Sequence, residues 1–343
     1  MIEIRRCRKE DIDLIMDFID SHWQSGHSLA VSRVLMDWQH GEVDSHYNYL
    51  IAVRKQSVLG ILGYITSRRF DPALAQSNVI WLALWKVLDD VDVAGLGLRM
   101  LNTLTSIEPH SMIAVNGINT AHPPMYRALR YINGELKQFY VVNEHSERCL
   151  LNSPKEQNLP LPHKGLSRFV EMQEKDLIEF DLGLFAKNCA NPKSPMYFIN
   201  RFLSHPFYRY RVFQIVGSTH GPALLATRLA EHDGARALRI VDFAGDPKAI
   251  SELGSAINDL MNEENAEYTD FWQLGLPDHY FEDSGFSLLD PDGDIVLPNY
   301  FEPFLQRNGR ILCALKTQSS LPAVICRADG DQDRPNRIPE DVK

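Results

Sequence analysis

The sequence predicts a mixed α/β (α+β) protein of two domains in tandem, each a mixed, mostly antiparallel central sheet flanked by helices. Three observations predict it. Short apolar strands and amphipathic helices alternate through the first half. The second half repeats that order with unrelated residues, as an internal duplication would. Residues 81–107 run from an apolar strand through Gly95-Leu96-Gly97 directly into an amphipathic helix.

In the first half, Ile2-Glu3-Ile4 alternates as a strand, and residues 10–19 and 29–39 read as helices. Residues 49–53 and 58–66 form an antiparallel pair about a turn at 54–57. A strand at 79–87 precedes the glycine turn, and Leu98, Leu101, Leu104 and Ile107 mark the buried face of the helix after it. A strand at 112–115, a helix at 124–129 and a strand at 136–142 close the unit. Residues 152–164 are polar with three prolines, the composition of a linker.

The second set has a helix at 196–202, strands at 210–216, 223–228 and 237–241, and a helix at 249–261. Its apolar face is Ile250, Leu253, Ile257 and Leu260. Strands at 271–274, 295–296 and 311–315 follow. Residues 328–343 are polar and proline-containing and are expected to be a disordered tail. The expected division is therefore a first domain at 1–148, a linker at 149–165, a second domain at 166–320 and the tail at 328–343.

Apolar residues make up 44% of the 343, charged residues 23%, which is globular composition. No apolar run reaches the roughly 20 residues that span a bilayer. The start, MIEIRRCRKEDID, lacks an apolar core, so a cytoplasmic protein without a signal peptide is expected. Five scattered cysteines form neither a metal spacing nor a disulfide framework. Cys7 and Cys149 have no adjacent histidine to make either a nucleophile. A net charge of −10 disfavours nucleic acid as a partner but permits a local basic pocket.

A glycine turn opening a helix leaves free N–H groups at a positive helix end, where a pyrophosphate can sit. Downstream stand Asn119, Met125-Tyr126 and Tyr131-Ile132. In that order of parts, residues 2–142 resemble the GNAT superfamily of acyl-CoA-dependent acyltransferases. The resemblance implies that Gly95, Gly97, Leu98 and Arg99 hold the coenzyme A pyrophosphate. Trp85, Lys86 and Val87 would bind the pantetheine arm through their backbone, with an N–H near Trp85 or Lys86 polarising the thioester carbonyl. Asn119 would flank the same site. One departure stands out: Asp92, which would repel a phosphate if turned inward, occupies a position where the family has Gln or Arg, and Arg99 just inside the helix would supply the positive charge instead.

The implied reaction is attack of an amine on a thioester, which needs a base, oxyanion donors and an acid for the thiolate. Tyr126 matches the family's tyrosine beside the sulfur. For the base, the HWQSGH segment offers His27 and His22, with Trp23, Trp38 and Gln39 nearby; His122 is a further candidate. Trp23 and Trp38 suit stacking on an acceptor.

The second half lacks the Gly-x-Gly turn; Asp242 and Asp246 stand where a pyrophosphate would bind. A degenerate domain without coenzyme is expected there, with Arg228, Arg239 and Asp242 lining an acceptor pocket. Arg239 and Asp242 could equally form a structural pair. Asn299, Tyr300 and Glu302, in a proline- and aromatic-rich segment, suit recognition of a sugar or planar ligand. That segment, with Arg239–Asp242 and Asp270-Phe271, resembles tandem GNAT-like proteins of bacterial surface-polysaccharide pathways.

The resemblance implies N-acylation of a dTDP- or UDP-linked amino sugar in a ternary complex, with acetyl-CoA or 3-hydroxyacyl-CoA as co-substrate. No permanently bound cofactor, no metal and no membrane partner are expected. The alternatives are a protein or small-molecule amine as acceptor, or a non-catalytic binding protein.

Overall fold

The structure is a computed structural model that describes residues 1–42, 44–55, 57–89, 91–154 and 158–338. Its strands are β1 (Glu3–Arg8), β2 (His46–Arg54), β3 (Ser57–Thr66), β4 (Val79–Val87), β5 (Met112–Ile118), β6 (Ile132–Glu135), β7 (Lys137–Val142), β8 (Arg168–Glu171) and β9 (Arg211–Val216). They continue with β10 (Ala223–His232), β11 (Ala235–Gly245), β12 (Ala266–Leu274), β13 (Ser287–Leu288), β14 (Tyr300–Phe301), β15 (Phe304–Leu305), β16 (Leu312–Thr317) and β17 (Ile325–Cys326). The helices are α1 (Ile12–His22), α2 (Ser28–Val31), α3 (Arg33–His40), α4 (Ser67–Phe70), α5 (Leu96–Ile107), α6 (Pro123–Ala128), α7 (Glu174–Ile178), α8 (Pro195–Phe198), α9 (Gly254–Glu264) and α10 (Asp278–Asp283).

The first sheet has the order β1-β2-β3-β4-β5-β16-β6, and the second, read in the same sense, β8-β9-β10-β11-β12-β7-β13. Within each, neighbours are antiparallel except at the fourth and fifth places, where β4 runs parallel to β5 and β11 parallel to β12. The duplication expected from element order is thus present in strand order and direction. The short sixth-place strands are exchanged: β7 pairs with β12 and β16 with β5.

That exchange corrects the expected boundaries. Residues 137–142 belong to the second sheet and 312–317 to the first, because Leu136 alone separates β6 from β7 and the chain passes straight between sheets. Leu136 is buried in a core cluster that also takes in Phe70, Trp81 and Met112 from the first half and Phe198, Phe202 and Trp272 from the second. Burying those side chains against one another makes the two halves one packed body.

The expected linker, as far as it is described, crosses the second sheet rather than spanning free space. The backbone N–H groups of Cys149, Leu150 and Leu151 all donate to the buried Glu267 carboxylate at 2.8 Å. The expected disordered tail is also corrected. Residues 328–338 are packed, with Ala328, Asp329, Asp333 and Ile338 buried, while 339–343 lie outside the described residues. Opposite charges hold the segment: Asp333 meets Arg228 and Arg327, and Asp329 meets Lys193.

Candidate active site

A bulge starts the site. Leu62 and Tyr64 on β3 pair with Trp85 and Leu82, so Ala83 and Leu84 together oppose the single residue Gly63. The extra residue bends β4, as bulges do beside functional sites. Pairing of β4 with β5 stops at Leu82↔Val115, and the two strands diverge beyond it. Ala83, Trp85 and Val87 face Val115, Gly117 and Ile118 across a cleft of about 560 Å³. The edge of residues 83–87 turned toward β5 has no strand partner among the described residues.

The helix α5 opens next to this cleft. Gly95 is its N-cap at φ +71°, a left-handed conformation that suits glycine, and no side chain caps the helix. The first intrahelical bond runs from the Arg99 N–H to the Gly95 carbonyl at 3.0 Å, which leaves the Leu96, Gly97 and Leu98 N–H groups without intrahelical partners. A Cβ on Gly95 would meet nothing within 4 Å, so the approach is open. A Cβ on Gly97 would fall 3.2 Å from the Trp85 indole nitrogen, so helix and strand meet closely there. Arg99 is exposed on the first turn, and Asp92 is exposed in the preceding loop. Lys86 pairs with Asp89 at 3.1 Å.

Tyr126 lines the cleft from α6 and is 5% exposed. Burial pushes its phenol up to about 12, so it keeps its proton at neutral pH. Among the described residues no hydrogen bond engages its hydroxyl, and Tyr131 packs edge-on against its ring. Asn119, His122 and Trp23 line the same cleft. The Asn119 side chain accepts from the Ala121 N–H at 3.0 Å and shapes the turn into α6.

His27 is placed elsewhere, which corrects its assignment as base. It caps α2, its Nδ1 accepting from the Leu29 N–H at 3.2 Å, and it does not line the cleft. Burial, then the Arg334 charge, lower its pKa to about 3. His22 is exposed against Phe18, also outside the cleft lining. Trp38 is an interdomain contact rather than an acceptor platform: its indole donates to the Asn200 carbonyl at 3.3 Å and packs edge-on against His205. Gln39 is buried beside His40.

A second pocket, of about 190 Å³, adjoins the cleft; Tyr300 and Gln332 line both. Arg228, Arg239, Arg327 and Arg334 line it, with Glu302 and Asp331. Arg239 is 1% exposed and donates to the Pro298 and Asn299 carbonyls at 2.6 and 3.0 Å, with its Nε 3.7 Å from Asp270. Its partner is thus not Asp242. Burial, with Arg239 and Arg228 nearby, lowers the Arg327 pKa to about 10 despite Asp333. Glu302 accepts from the Asn336 N–H at 3.0 Å.

Asp242 lies apart from this pocket and pairs with Lys193, which also holds Asp329 at 3.0 Å. Burial raises the Asp242 pKa to about 6, and for Lys193 the two carboxylates outweigh burial and raise it. Asp242, Cys326 and Asp329 have metal-ligand spacing, but the Lys193 ammonium already sits on both carboxylates.

The second half also has a gap where β11 and β12 part, after Ile240↔Phe271. Its own chain fills that gap: β17 pairs with β12, and the Ala328 N–H donates to the Val241 carbonyl at 2.9 Å. The first gap has no such strand across it among the described residues.

Sequence reasoning missed Arg327, Asp331, Gln332 and Arg334, because a polar, proline-containing end reads as solvated chain. The available signal was the run of three aspartates, Asp329, Asp331 and Asp333, bracketed by Arg327 and Arg334, since so close a cluster of both signs suits charge pairing.

No protein-family model matches the chain, and no curated protein sequence matches it. Among solved structures it is similar to a GCN5-related N-acetyltransferase from Anabaena variabilis ATCC 29413, with a TM-score of 0.54 and 13% identity over 92% of this chain and 73% of that one. A probable N-acyltransferase from Enterococcus faecalis V583 gives 0.52 and 8% over 91% and 72%. A GCN5-related N-acetyltransferase from Kribbella flavida gives 0.51 and 13% over 92% and 71%. At such identities the likeness is one of fold, and the chain shares the fold of these solved structures over about nine-tenths of its length.

Proposed function

We propose that the protein is an acyl-CoA-dependent N-acyltransferase that binds its donor in the β4–β5 cleft and its acceptor in the adjoining arginine-lined pocket. One observation carries this reading: the open edge of β4 borders the same cleft as Tyr126, the uncapped start of α5 packs against Trp85 of that cleft, and the second pocket adjoins it. The free N–H groups of Leu96, Gly97 and Leu98 suit a pyrophosphate. The unpaired edge of residues 83–87 suits the amide-bearing pantetheine arm, which would add to the strand as an extended chain does.

The acceptor amine attacks the thioester carbonyl, charge builds on the carbonyl oxygen, and the thiolate leaves with a proton. A backbone N–H of β4 near Trp85 stabilises the oxyanion. Tyr126, protonated at neutral pH, donates to the thiolate. His122, which lines the cleft, takes the role of base in place of His27.

For the acceptor, the four arginines favour an anionic group such as the pyrophosphate of a dTDP- or UDP-linked amino sugar. A small-molecule or protein amine is the second reading. It is favoured by Glu302 and Asp331, which line the pocket and would draw an ammonium group.

Calorimetric titration with coenzyme A, then with dTDP added, tests the proposal. One site for each is expected. No coenzyme A binding ends the enzyme reading, and coenzyme A binding without dTDP or UDP binding favours the second acceptor.

A further inference from the structure

Neighbouring residues of β5 grip the end of the chain from opposite sides. The Asn116 amide donates to the carbonyls of Cys326 and Asp329 at 3.2 and 3.1 Å. Gly117 faces the cleft at φ +89°, and a Cβ there would fall 1.8 Å from Nε2, 2.4 Å from Cδ and 2.9 Å from Oε1 of Gln332. The Gln332 carboxamide therefore occupies the space that any side chain at position 117 would fill. Its seat is fixed on both sides. Arg201 donates to the Ala328 and Gly330 carbonyls at 3.0 and 2.7 Å, and Tyr210 donates to the Asp333 carboxylate at 2.8 Å.

Gln332 lines both the donor cleft and the arginine pocket. On the reading above, the acyl group of the donor must lie at that junction, where the amine meets the carbonyl. We infer that Gln332 is the wall that sets acyl length: its carboxamide, seated on Gly117, leaves room for an acetyl-sized group and blocks the path of a longer chain. This rests on the donor reading and deepens it, since it selects acetyl over longer acyl thioesters. Among the described residues the carboxamide makes no hydrogen bond, so trimming it removes bulk without unpairing a buried partner.

The test is calorimetric binding of coenzyme A, acetyl-CoA and hexanoyl-CoA to the full chain, with no acceptor needed. The wild type should bind acetyl-CoA at least about 10-fold more tightly than hexanoyl-CoA, the scale on which a closed pocket rejects added methylenes. Gln332→Ala removes Cγ, Cδ, Oε1 and Nε2 and should narrow that gap to within about 3-fold, with coenzyme A affinity unchanged. Gln332→Leu keeps the bulk without the amide and should preserve the gap. Equal binding of both thioesters by the wild type, or an unchanged gap in Gln332→Ala, overturns the inference while leaving the donor reading intact. Failure of the wild type to bind coenzyme A itself overturns both.

Discussion

Arg228 and Asp333 form a two-point pair, Nε to Oδ2 at 2.8 Å and Nη2 to Oδ1 at 2.7 Å, that ties β10 to the end of the chain. Arg327 adds a third contact to the same carboxylate at 3.1 Å, and Tyr210 a fourth. Burial opposes the Asp333 charge, and Arg228 and Arg327 overcome it, holding the carboxyl well below its usual range. Removing the charge leaves two buried guanidinium groups without the carboxylate that neutralises them. Asp333→Asn should lower stability by about 3–5 kcal/mol. Urea unfolding should show a reduced midpoint, whereas a wild-type midpoint would mean the segment contributes no stability.

Tyr126→Phe deletes the one hydroxyl assigned to the departing thiolate and keeps the ring packed against Tyr131. Turnover should fall by about 100-fold, the lower range for loss of a positioned acid. Coenzyme A affinity and melting temperature should not move. Steady-state kinetics beside calorimetry separates the two quantities, and unchanged turnover removes Tyr126 from the reaction.

Leu98, expected on the buried face of α5, is instead exposed in its first turn, because Leu96, Met100, Leu101 and Leu104 form that face, and there a carboxylate and a pyrophosphate would seek the same N–H groups. Leu98→Glu should therefore stabilise the helix slightly and weaken coenzyme A binding by about 10-fold, through dipole effects of opposite consequence. A thermal melt and a titration on the same sample check both signs. Unweakened binding would place the pyrophosphate elsewhere.

His27, His40 and His205 are each held at about 3, chiefly by burial, against an ordinary value of 6.5. Below pH 6.5 the unfolded chain takes up protons that the folded chain refuses. Stability should therefore fall as pH drops from about 6.5 toward 3, by up to about 4 kcal/mol per pH unit if all three act. Unfolding near pH 5 should bind about three protons for these histidines, measurable from the pH dependence of the unfolding midpoint. A flat profile from pH 7 to 4.5 would contradict their burial as neutral rings.

Local pattern alone determined much of the molecule. Alternating and helical periodicity located most strands and helices, and the repeated element order gave the duplication, because each element must bury its own apolar face. The glycine turn and the start of α5 were legible because a backbone that exposes N–H groups needs glycine there. Tyr126 and Asn119 were found by their place in an order of parts, and Trp23 by its histidine-flanked segment; the cleft brings the three together.

Only the tertiary structure decided the exchange of β7 and β16, since a strand's periodicity reports that it is buried and not which sheet buries it. It also decided the fate of charged and aromatic residues. His27 became a cap, Trp38 an interdomain contact and Asp242 the partner of Lys193, while Gln332 came from a polar chain end to sit on Gly117. A charge is solvated or buried according to the partner that folding delivers, and Asp333 meets Arg228 across 105 residues of sequence.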